Sequence, residues 1–182
     1  MSNIQRVGVI GAGTMGNGIA QACAGAGIEA VMLDINEAAV QKGLATIAAS
    51  LDRLLKKEKM TAEQKAAALA RIKPTTQMAE MKAVDLVIEA ATENLGIKLK
   101  IIQDVENIVS ADTIVASNTS SISITQMAAT MKRPEQFIGM HFFNPVPVMG
   151  LVEVIRGLQT SDATHARIEA LAKALGKHPV TV

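Results

Sequence analysis

The sequence predicts an α/β fold: a doubly wound, mostly parallel sheet with helices on both faces. Three observations predict it. Apolar runs of strand length recur at Arg6–Ile10, Glu29–Leu33 and residues 84–89, 113–116 and 137–140, and longer stretches of helical spacing separate them. A glycine-rich turn, Gly11-Ala12-Gly13-Thr14-Met15-Gly16, follows the first run directly and opens a helical stretch. The chain has no Trp or Tyr and three Phe, so its core must be built from Ala, Val, Ile, Leu and Met, a composition suited to strands buried on both sides.

At 182 residues and 49% hydrophobic content, the chain is long enough for one well-buried domain, spanning residues 1–182, and too short for two. The first helix runs from Thr14 to about residue 26, where Gly25 and Gly27 supply the flexible ending that helices favour. Residues 36–72 change to a helical hairpin, inserted after the second strand. Leu44, Ile47, Leu51, Leu54 and Leu55 form one apolar stripe of it, with Lys56, Lys57 and Lys59 near the turn. Thr61-Ala62-Glu63-Gln64 then has the form of a capping box. From spacing alone this hairpin is a solvated arm with a charged face. Beyond Pro147, Leu151–Ile155 reads as a strand, 162–175 as a helix and 178–182 as a final strand.

A formal charge of +1, with acids and bases interspersed, offers no basic patch for nucleic acid or an anionic membrane. Nor does any apolar run approach the roughly 20 residues of a membrane span, and no basic segment with an apolar h-region leads the chain. The expectation is a soluble, cytoplasmic protein with a small-molecule partner and no metal. Cys23 cannot form an internal disulfide and falls in an alanine-rich helical stretch, where it reads as a small buried residue.

The glycine turn stands between strand and helix, the context in which such a motif binds phosphate. Gly11 permits the tight turn, Gly13 keeps a Cβ away from an approaching pyrophosphate, and Gly16 lets the helix sit close on the strand. Free N–H groups and the helix dipole receive the anion. Asp34 ends the next strand 23 residues after Gly11, near the spacing of about 20 at which a carboxylate binds both ribose hydroxyls. No Arg follows in Asp34-Ile35-Asn36 to balance a 2′-phosphate, so NAD is expected rather than NADP.

Two further strand ends are chemically dense. Ser117-Asn118-Thr119-Ser120-Ser121 suits a turn and helix N-cap but holds more hydroxyls than a cap needs, so capping and ligand contact both stay open. His141 leaves its strand at the position expected to overlook the nicotinamide. Glu153, an acid inside the apolar run Leu151–Ile155, is costly to bury unless paired, and His141 is the nearest partner across the proline-containing loop. A carboxylate-oriented imidazole is what alcohol oxidation by hydride transfer requires as its base. His165 and His178 have no acid placed to tune them and read as surface or packing histidines.

With these residues assembled, the sequence resembles the N-terminal domain of the 3-hydroxyacyl-CoA dehydrogenases, a group that includes bacterial 3-hydroxybutyryl-CoA dehydrogenases. The resemblance covers essentially the whole chain. It rests on the turn Gly11 to Gly16, the glutamates of residues 87–94, the cluster 117–121, and above all 141–148 followed by Leu151-Val152-Glu153-Val154. It implies NAD-dependent interconversion of (S)-3-hydroxyacyl-CoA, 3-hydroxybutyryl-CoA in particular, and 3-ketoacyl-CoA such as acetoacetyl-CoA. His141 would be the base and Glu153 its partner, with Ser120 and Asn144 holding the substrate's 3-oxygen and thioester beside the nicotinamide. Glu93 and Lys98 would flank the cofactor's ribose and nicotinamide side, and Ser50 and Lys57 of the hairpin would contact coenzyme A. Family members continue into an all-helical domain that forms a homodimer and closes over the substrate; by that resemblance this chain binds NAD(H) but turns over slowly or not at all. The 3-hydroxyisobutyrate and 6-phosphogluconate dehydrogenase group uses a catalytic Lys in its second domain, against which the His141 and Glu153 pair argues. A non-catalytic, crystallin-like protein would not need these residues intact.

Overall fold

Alternate residues of the central strands face opposite sides of one sheet. Leu86 and Ile88 join one buried apolar cluster while Val87 joins the other, and Ile114 and Ala116 are divided from Val115 in the same way. The structure is a computed structural model describing residues 3–182. Its strands are β1 (Arg6–Ile10), β2 (Glu29–Leu33), β3 (Ile72–Thr75), β4 (Leu86–Glu89), β5 (Ile114–Ser117), β6 (Phe137–Phe142), β7 (Leu151–Ile155) and β8 (His178–Thr181). The helices are α1 (Thr14–Gly25), α2 (Glu37–Lys56), α3 (Ala62–Ala70), α4 (Leu95–Ile108), α5 (Ile124–Ala128) and α6 (Asp162–Ala174).

The sheet runs in the order β3-β2-β1-β4-β5-β6-β7-β8. The first six strands of that order are parallel, β7 is antiparallel to β6, and β8 is parallel to β7. Chain order therefore reverses between β1 and β4, the topological switch point of a Rossmann-type fold. Ile19 and Cys23 of α1, Ile47 and Leu51 of α2, and Ile168 and Leu171 of α6 bury against one side of the sheet, whereas Ile102 and Val105 of α4 and Met127 of α5 cover the other. Burial pushes the Cys23 thiol up to about 12 and leaves it a core residue.

The expected fold class and most strands stand, with corrections at their ends. Strand β3 is absent from the sequence reading because Pro74 interrupts a run of four residues. It is tolerated at a sheet edge, where no ladder bond is lost. Its presence changes the meaning of the hairpin: α2 and α3 are the crossover joining parallel β2 to adjacent β3, rather than an arm inserted into a short connection. The capping box at Thr61 and Gln64 forms as its spacing requires, each side chain accepting from the other residue's backbone N–H. Among the described residues no helix is long and apolar enough to cross a membrane.

Candidate active site

The turn between β1 and α1 is built by two glycines. Gly11 has φ +111, and a Cβ on it would lie 2.7 Å from the Ala90 carbonyl oxygen. A Cβ on Gly16 would lie 1.7 Å from the Gly11 carbonyl oxygen, so α1 rests directly on the turn. Gly13 has open space around it and caps α1 with no side-chain bond, which leaves the helix's first N–H groups available to an anion.

Asp34 does two things at once. Its carboxylate accepts the Ala12 N–H at 2.9 Å and the Ile35 N–H at 2.7 Å, bracing the glycine turn, a role that sequence spacing did not reveal. A carboxylate has about four acceptor sites, so capacity remains for ribose hydroxyls. Asp34, Gly11, Gly13, Thr14, Met15, Glu93 and Lys98 line a crevice of about 340 Å³ at the carboxyl ends of β1, β2, β4 and β5, on the switch point. Ala12 and Gly16 stand behind it as framework. These residues fit a dinucleotide: a cradle for the pyrophosphate, and an acid at the end of the second strand.

On the far wall lies a buried polar network that sequence reading did not assemble. Lys98 Nζ donates to Glu89 Oε1 at 2.5 Å, the Ser117 hydroxyl donates to the same oxygen at 2.9 Å, and Glu89 Oε2 accepts the Ala91 N–H at 2.8 Å. Glu93 accepts the hydroxyls of Thr119 and Ser121 at 3.0 and 3.1 Å, stitching the loop after β4 to that after β5. The cluster 117–121 is therefore not a helix cap, a reading left open above: the cap of α5 is Ser123, which accepts from Gln126 N–H. Propensity alone cannot separate Ser123 from the neighbouring serines. Ser120 itself sits exposed in that turn.

Strand β6 ends in the second element of chemistry. His141 and Glu153 are direct partners across the antiparallel β6 and β7, with Nδ1 2.9 Å from Oε1. The pairing stands as expected, although its premise of burial is corrected: the Glu153 side chain keeps 35% of its exposure and His141 16%. Phe143 stacks obliquely on the imidazole, ring centroids 4.5 Å apart. Next to His141, the Phe142 N–H donates to Asn118 Oδ1 at 2.7 Å, and Asn118 lines the crevice, so the pair is tethered to the crevice wall. The crevice does not take His141, Glu153 or Ser120 into its lining. The other histidines differ from expectation in one respect. His165 does meet an acid, Glu169 Oε2 at 3.5 Å one helical turn away, besides the Thr181 hydroxyl at 2.8 Å, whereas His178 is exposed on β8.

A second cleft, of about 380 Å³, joins the hairpin to the loop after β6. Ser50, Arg53 and Lys57 of α2 and its cap face Asn144, Val146 and Val148, and Thr14 borders both clefts. The structure thus brings Asn144 together with Ser50 and Lys57, and Glu93 and Lys98 together with Asp34 and the glycine turn. Among the described residues no group of three or more His, Cys, Asp or Glu is placed to hold a metal ion.

Residues 6–182 match the family model described as 3-hydroxyacyl-CoA dehydrogenase, NAD binding domain. The chain is 47% identical over 174 residues to 3-hydroxybutyryl-CoA dehydrogenase of Bradyrhizobium diazoefficiens, covering 96% of this chain and 59% of that protein. It is 46% identical to the fatty acid oxidation complex subunit alpha of Acinetobacter baylyi, covering 98% of this chain and 25% of the relative. Among solved structures, (S)-3-hydroxybutyryl-CoA dehydrogenase from Ralstonia eutropha superposes with a TM-score of 0.98 at 65% identity, covering 99% of this chain and 64% of that one. The chain therefore spans less than two thirds of the length of these relatives.

Proposed function

From the premise that the chain belongs to the family of 3-hydroxyacyl-CoA dehydrogenase NAD-binding domains, we propose that it serves NAD-dependent interconversion of (S)-3-hydroxyacyl-CoA, 3-hydroxybutyryl-CoA first among them, and the 3-ketoacyl-CoA. The observation that carries the chemistry is the 2.9 Å contact between His141 Nδ1 and Glu153 Oε1. With Nδ1 committed to the carboxylate, Nε2 is the nitrogen free to take the proton of the substrate hydroxyl. Glu153 fixes the tautomer and stabilises the imidazolium that results, as the acid does in other carboxylate and histidine pairs.

A bound NAD would supply the hydride acceptor for the substrate's C3. The chain's own residues position the partners. Gly11 to Gly16 and the N-terminus of α1 hold the pyrophosphate, Asp34 the ribose, and Glu93 and Lys98 the wall beyond it. Ser120 and Asn144 orient the 3-oxygen and the thioester, while Ser50 and Lys57 take coenzyme A along the second cleft. Two relatives that carry 3-hydroxybutyryl-CoA in their names support the short-chain substrate. A cytoplasmic setting and a homodimer complete the reading.

The test follows NADH absorbance after acetoacetyl-CoA is added to the 182-residue chain, with His141→Ala alongside. Slow oxidation that His141→Ala abolishes, with NADH binding retained, is the expected result; NADH that binds but is not consumed at all would overturn the activity for this chain.

A further inference from the structure

Glu89 is fully buried, Lys98 is 1% exposed, and neither touches the His141 and Glu153 pair. Burying two charges gains little stability, because their desolvation offsets most of their attraction. Such a pair therefore calls for another explanation, and what the carboxylate holds supplies it. Glu89 Oε1 receives the Lys98 ammonium and the Ser117 hydroxyl, and Oε2 receives the Ala91 N–H. Each of these donors belongs to a different element of the crevice's far wall: helix α4, the end of β5, and the loop after β4.

Lys98 lines the crevice although it is buried. An ammonium has three N–H donors; one goes to Glu89, and the Ser117 hydroxyl lies 3.4 Å away in a longer contact. Glu93 Oε1, at 4.0 Å, is beyond hydrogen-bond range. The remaining donor capacity is directed by the geometry Glu89 imposes. In a doubly wound sheet the dinucleotide crosses the switch point, so a ribose held by Asp34 after β2 sends the other nucleoside half over β4 and β5. Lys98 stands on that side.

We propose that Glu89 is a positioning residue for the nicotinamide half of the cofactor: it fixes the Lys98 ammonium and the 90–91 turn, and has no part in holding the adenylate half. The claim rests on the crevice being the NAD site, and its test uses binding alone, so it stands apart from whether the chain turns over substrate.

The experiment titrates NADH, by its own fluorescence, and ADP, by calorimetry, into the full chain, into Glu89→Gln, and into the double variant Glu89→Gln with Lys98→Met. The double variant replaces the ion pair with a neutral pair of similar shape and guards against misfolding from a lone buried ammonium. Losing a charge-assisted anchor is expected to weaken NADH about tenfold in both variants while leaving ADP within about twofold. Equal weakening of NADH and ADP would reduce Glu89 to a structural role and overturn the proposal. So would unchanged NADH affinity in either variant.

Discussion

His141 and Glu153 oppose each other directly in the β6 and β7 ladder, which places Nδ1 2.9 Å from Oε1 without help from any loop. The carboxylate's position is thus set by strand register, and a neutral isostere would occupy the same place. Glu153→Gln is expected to lower kcat about 10²-fold or more, since an amide neither enforces the tautomer nor stabilises the imidazolium. Stability should barely change, because the carboxylate is about one third exposed. Initial rates of NADH oxidation beside a thermal melt check both halves; a large loss of melting temperature would mean that the pair is chiefly a structural contact.

Asp34 braces the glycine turn through the Ala12 N–H as well as facing the crevice. Asp34→Asn is expected to weaken NADH about tenfold and to narrow the preference over NADPH, because the negative charge that repels a 2′-phosphate is gone. Fluorescence titrations with both dinucleotides read the ratio. A ratio equal to that of the unaltered chain would show that Asp34 serves only the turn.

The core of this fold was legible because its strands are short apolar runs with a glycine turn at a fixed place, and the outer elements were not. Nothing in Ile72-Lys73-Pro74-Thr75 outweighs its proline locally; only pairing with Ala30 to Leu33 makes it a strand. The His141 and Glu153 pair was readable because one acid interrupts the apolar run Leu151–Ile155 opposite a histidine strand end, although the acid stays about one third exposed. The network of Glu89, Lys98 and Ser117 was not, because its three residues come from β4, α4 and β5 and meet only once the sheet has formed. The contact of His165 with Glu169 is the opposite case, because a separation of one helical turn is visible in the sequence itself.

Cys23 is wholly buried, and its thiol is pushed up to about 12 by loss of solvation. The native chain should therefore resist iodoacetamide at pH 8 and react only when unfolded. Because the folded pKa is raised, the unfolded state loses its proton first. The stabilising effect is complete below about pH 9 and declines between about 9 and 12, by roughly 1.4 kcal/mol per pH unit. Urea melts at pH 8 and 10 on the chain and on Cys23→Ala measure that difference; an identical pH response in both would exclude the thiol as its source.

Lys177 links the last strand to the second cleft. Its ammonium donates to the carbonyls of Val146 at 2.5 Å and Met149 at 2.8 Å, in the loop after β6 that carries Asn144. Val146 is the loop's buried anchor, seated where a Cβ on Gly18 of α1 would come within 2.8 Å of it; Asn144, Pro147, Val148 and Met149 are exposed. Burial holds the Lys177 pKa below the usual lysine value, so stability through this group rises with pH in the alkaline range. Lys177→Met keeps the aliphatic stem and removes the donors. Since the freed carbonyls can turn to water, the melting temperature should move little, while exchange of the Val148 and Met149 amides, now bonded to the Pro145 carbonyl, should quicken about tenfold. Coenzyme A binding should weaken severalfold with NADH binding intact, because the loop lines the second cleft and not the nucleotide crevice. Lys177→Arg, which retains the donors, should recover both properties. Unchanged amide exchange in Lys177→Met would mean that Val146 alone secures the loop and that the lysine bonds follow its shape instead of setting it.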